Sequence, residues 1–154
     1  MLIFMGILQF GFLLSGQIGL INSVREAARY GSTSPTTDAA SAASHGTNIC
    51  NQLKTNLASS IAGYNASNLV LAGATKVNYT SYQDPHGAPF TYSVRLTVTV
   101  AYRHPLFIPL VGDIIDGIDG ANDEALRLDA KEQMRVENPL LTTDPGLGTT
   151  VNCT

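Results

Sequence analysis

At 154 residues, with 44% hydrophobic and 14% charged side chains, the chain has room for one domain with a modest core and not for two. Its formal net charge is -3 and its nine basic residues are scattered along the sequence, which argues against a nucleic-acid partner, because a phosphate backbone is held by clustered Lys and Arg. Cys50 and Cys153 have no second Cys or His nearby at metal-ligand spacing, so zinc, CxxC redox and haem readings are disfavoured and no cofactor is implied.

The first element is the most informative. Met1 to Ile21, MLIFMGILQFGFLLSGQIGLI, is long enough as a helix to cross a hydrocarbon core, and no ionisable side chain occurs before Arg25. Three readings compete: a cleaved signal peptide, a permanent membrane anchor, and a helix that leaves the membrane to pack against copies of itself. A signal peptide begins with a basic region, which this segment lacks. Arg25 and Arg29 follow the apolar run, and by the positive-inside rule they would hold the remainder in the cytoplasm. A basic leader ahead of Met1, removed after insertion, would resolve that conflict. Gly11, Ser15 and Gly19 recur at four-residue steps, a small-residue face that lets another backbone approach, and Gly6 and Gly16 add close-approach points on other faces. Together with Phe10 they are the candidate helix-packing residues. The helix is expected to continue through Asn22–Gly31 and to stop at Ser32-Thr33-Ser34-Pro35, about 45 Å in all. The chain thus divides into a hydrophobic helix, 1–31, and a solvent-facing α+β head, 32–154.

In the head, Thr36 or Thr37 is expected to cap a second helix with an apolar stripe of Ala39, Ala42, Ala43, Ile49, Leu53, Leu57 and Ile61, ending at Gly63. Cys50 falls beside that stripe. Residues 69–82 read as a strand with a glycine irregularity, and 84–89, DPHGAP, as a turn. Phe90 to Tyr102 alternates most clearly, with Val94, Leu96, Val98 and Val100 on one face and Arg95, Thr97 and Thr99 on the other. Leu126, Leu128, Ala130, Met134 and Val136 mark a closing strand. The expected fold is α+β: a long N-terminal apolar helix plus a second helix packed on a small antiparallel sheet.

A disulfide between Cys50 and Cys153 suits such a head and an oxidising compartment. Asp113, Asp116 and Asp119 lie in an acidic connection that is a weak calcium candidate, since the spacing does not fit an EF-hand loop. His45, His86 and His104 are singletons, and no grouping of nucleophile and base is visible, so no catalytic residue is assigned. Asn65, Asn78 and Asn152 match the N-glycosylation acceptor pattern.

The stretch from Gly6 to Ser32, with Gly6, Phe10 and Gly11 followed by Val24-Arg25-Glu26-Ala27-Ala28-Arg29-Tyr30-Gly31, resembles the N-terminal signature of the TadE-like family of tight-adherence pilus proteins. Val98 to Gly112 and Met134 to Glu137 are similar to its C-terminal half, so the resemblance covers roughly half the chain. Position 9 is Gln9 where the family often has an acidic residue, and the family's acidic stretch ahead of the apolar run has no counterpart. The resemblance implies a pilin-like structural subunit of an extracellular, cell-surface filament, a helical homopolymer built through the N-terminal helix. It also implies an inner-membrane precursor and, as partners, an assembly ATPase, a membrane platform and a prepilin peptidase. A minor pseudopilin or membrane-anchored accessory protein of the same system is the alternative.

Overall fold

The computed structural model of the chain describes residues 1–70, 73–85, 91–108, 114, 117, 124–137 and 141–153. It opens with α1 (Leu2–Ser32), 31 residues long. The helix ends where hydroxyl side chains compete for its last carbonyls: Ser32 donates to the Arg29 carbonyl and Thr33 to that of Tyr30, each at 2.9 Å. Pro35, with no N–H, cannot continue it.

Helix α2 (Ala39–Ser60) is capped by Asp38, not by Thr36 or Thr37 as the sequence suggests. The reason is a reciprocal pair. The Asp38 carboxylate accepts from the Ser41 N–H at 2.7 Å, and the Ser41 hydroxyl oxygen accepts from the Asp38 N–H at 3.2 Å. The Ser41 N–H bond holds the Asp38 carboxyl below its ordinary pKa. Thr36 is buried instead, its hydroxyl 3.2 Å from His45 Nδ1. On the apolar stripe, Ala42, Ile49, Leu53, Leu57 and Ile61 are buried, whereas Ala39 and Ala43 stay exposed. Past a short 3-10 turn, Ala66–Asn68, the chain enters a four-stranded antiparallel sheet.

Its strands are β1 (Lys76–Gln83), β2 (Tyr92–Pro105), β3 (Ala125–Arg135) and β4 (Gly148–Asn152), in the order β3-β2-β1-β4. The fold is therefore the expected α+β arrangement of a long apolar helix and a second helix on an antiparallel sheet. Val94, Leu96, Val98, Val100 and Tyr102 of β2 are wholly buried beneath the helices, together with Val77 and Tyr79 of β1. The sheet departs most from expectation in two places. β1 begins at Lys76 instead of Leu69, because Gly73 (φ +71) turns the chain and Leu69 makes only an isolated bridge opposite Tyr102. β4 is a strand that the sequence pattern does not announce. Of the turn expected at 84–89, residues 86–89 lie outside the described residues.

Helices α1 and α2 run antiparallel on the same side of the sheet: Gly31 meets Ile49 and Leu96, while Gly19, twelve residues earlier, meets the end of α2 at Ser60. Beyond β4, Cys153 is bonded to Cys50 on the inner side of α2. That bond closes a 103-residue separation and fits a compartment outside the cytoplasm.

Candidate assembly surface

Along α1 the residues fall on two seams with different fates. The inner seam, Gln9, Leu13, Gly16, Gly19, Leu20, Ser23, Val24, Ala27, Ala28 and Gly31, follows steps of three and four and is buried against the head. Two of the glycines singled out by sequence belong to it. A Cβ on Gly16 would strike the His104 ring, and one on Gly19 would stand 2.5 Å from the Ser60 carbonyl oxygen. Gly16 and Gly19 are therefore taken up by packing within the chain, a use that the four-residue spacing could not reveal.

The outer seam is a different matter. Ile3, Ile7, Leu14 and Ile18 are 81%, 66%, 62% and 59% exposed, and Phe4, Phe10 and Phe12 are exposed as well. A Cβ on Gly6 or Gly11 would meet nothing within 4 Å among the described residues. Gly11, Ser15 and Gly19 line a shallow groove of about 480 Å³ with Leu14, Ile18, Asn22 and Ser60. Past Ile18 the exposed positions turn polar, with Asn22, Arg25, Glu26 and Arg29, and Arg25 pairs with Glu132 of β3 at 3.5 Å. The helix is long and apolar enough to cross a membrane, and only 28% of its most apolar window is buried by the chain itself.

Gln9 joins the two seams to the head. It is fully buried, and its side-chain oxygen accepts from the backbone N–H groups of Phe107 and Ile108, each at 3.1 Å. The acceptor part of this amide does what a carboxylate at the same position could also do, while its buried Nε2 has no partner among the described residues. Phe107 packs edge-on against Phe12 (5.6 Å between centroids) and His104 (5.9 Å). With Ala62 and Gly63, Phe12 and Phe107 line an apolar hollow of about 400 Å³. His104 is buried in the seam between α1 and the sheet, and this loss of solvent lowers its pKa, against a smaller opposing effect of the Pro105 carbonyl. Sequence reading missed the role of Gln9 and His104. The available signal was a lone amide in an apolar helix and a histidine ending an alternating strand.

The remaining candidates are dispersed. Asn65 is exposed and caps the 3-10 turn through Ser67 N–H. Asn78 lies in the middle of β1 and donates to the Thr150 hydroxyl at 2.7 Å, and Asn152 is exposed at the end of β4. Asp113, Asp116 and Asp119 lie outside the described residues. Among the described residues there is no group of three His, Cys, Asp or Glu side chains that could hold a metal. In comparison with known proteins, no family model, no curated protein and no solved structure matches this chain.

Proposed function

We infer that the chain is the structural subunit of an extracellular pilus filament and polymerises through the first half of α1. The observation that carries this reading is the outer seam: a run of large apolar side chains from Ile3 to Ile18 on a helix whose inner side is already used by the head. A membrane covers such a seam before assembly, and sister helices cover it afterwards. Because lipid is as apolar as leucine, the preference for helices comes from close packing, which Gly6, Gly11 and Ser15 permit and bulky residues would not. Leaving the membrane needs external work, supplied on this reading by an assembly ATPase and a membrane platform after a prepilin peptidase has released the helix. The resemblance to the TadE-like family supports the same assignment. The disulfide between α2 and the last strand suits life outside the cell.

Negative-stain microscopy of material sheared from cells, followed by peptide identification, tests the proposal. Filaments composed mainly of this polypeptide are expected. A few copies per filament would assign the chain to a minor, assembly-priming subunit, and its absence from all filaments would overturn the reading.

A further inference from the structure

The basic residues that are scattered in sequence are gathered in space. Strand register puts Lys76, Arg95, Arg103, Arg127, Lys131 and Arg135, six of the chain's nine, on the sheet face turned away from both helices. Within the paired strands the single acid on that face is Asp129, and Arg127 takes it at 3.0 Å. Arg95 stands directly opposite Arg135, and Lys76 and Lys131 flank Thr99 from its two sides. Like charges opposite one another weaken strand pairing. Among the described residues no ion pair holds Lys76, Arg95, Lys131 or Arg135, and Arg95 lies over the Tyr82 ring at 4.9 Å. A partner carrying regularly spaced negative charge would relieve this arrangement.

We propose that this face binds the phosphate backbone of duplex DNA without regard to sequence. The Lys76–Lys131 row and the Arg95–Arg135 row lie four residues apart along β2, about 13 Å at the rise of an antiparallel strand. The major groove is about 12 Å wide, so the two rows reach phosphates on its opposite rims. Between them Asn78, Thr97 and Gln133 form an uncharged polar row of types that contact phosphate and sugar, and the Asn78 amide is already engaged by the Thr150 hydroxyl. Single strands fit less well, because they are held by bases stacking on free aromatic rings, and Arg95 covers Tyr82. The binding does not depend on the filament reading, since both helices occupy the other side of the sheet.

The test uses the full oxidised chain in a non-ionic detergent, with a short mixed-sequence duplex titrated at several salt concentrations. With four phosphates neutralised, log K should fall against log salt with a slope of about -3 to -4. Lys131→Gln alone should reduce that slope by about one. The fourfold variant Lys76→Gln, Arg95→Gln, Lys131→Gln, Arg135→Gln should bind at least about tenfold more weakly at low salt, with its melting temperature held or raised by the loss of like-charge pairs. Arg25→Gln with Arg29→Gln, on the helix side, should change neither affinity nor slope. Equal affinity and slope in the fourfold variant would overturn the proposal. So would binding of polygalacturonate or anionic vesicles in place of the duplex.

Discussion

Residues 2–15 and 16–32 form one continuous helix, yet the two halves use small residues for opposite purposes. In the second half, Gly16, Gly19 and Gly31 admit His104, the Ser60 carbonyl and Ile49 of the same chain. In the first half, Gly6 and Gly11 meet no other described residue and lie amid exposed Ile, Leu and Phe. The same residue type at the same spacing thus marks a finished contact in one place and an unfilled one in the other. Only the head's position tells them apart.

The sharpest way to break this comparison is to enlarge one glycine in each half. Gly11→Leu adds apolar surface, so membrane insertion should persist, and the melting temperature of the head should be unchanged because no neighbour is displaced. Filament yield should nonetheless fall by about tenfold or more, the effect of ~1.4 kcal/mol lost per helix contact. Shearing assays with quantified subunit read this directly. Normal filaments from Gly11→Leu would mean that the first half does not pack closely against its copies.

In the head the largest expected loss follows reduction of the disulfide. Cys50→Ala with Cys153→Ala should lower stability to denaturant by roughly 4–5 kcal/mol on the chain-entropy account, while leaving assembly contacts on α1 intact. Gly31→Ala comes next. Its Cβ would meet the side-chain ends of Ile49 and Leu96, and the overpacking cost of about 1–3 kcal/mol, offset by up to about 1 kcal/mol of helix propensity gained over glycine, leaves a net loss measurable as a lowered urea midpoint.

The smallest effect is on pH dependence. Burial lowers the His104 pKa below 6.5, so the unfolded chain binds this proton more readily than the folded one. Stability from His104 is therefore complete above about pH 6.5 and declines as pH falls toward the folded-state pKa. Urea midpoints at pH 7.5 and pH 5 should differ less in His104→Gln than in the native chain. An unchanged difference would remove His104 from the seam between α1 and the sheet.

Much of this architecture could be read from local pattern. The apolar run and the Ser-Thr-Ser-Pro stop mark α1 to within a residue, and alternation of Val94, Leu96, Val98 and Val100 marks β2. Features that depend on a partner far along the chain could not be read. β4, GTTVN, has one apolar side chain and lies at a sheet edge, so neither periodicity nor burial distinguishes it from a loop. Asp38 outcompetes Thr36 because Ser41 can answer it, a matter of geometry three residues on. Gly16 and Gly11 are indistinguishable until His104, 88 positions after Gly16, is in place. The basic face is likewise created by strand register, which brings Arg135 opposite Arg95 across forty residues of sequence.

Site-specific photocrosslinking in surface material tests the central claim most directly. A benzophenone side chain at Ile7, on the outer seam, should yield ladders of crosslinked subunits whose joined peptides both fall within α1. Adducts confined to lipid, with no crosslink between copies, would contradict it.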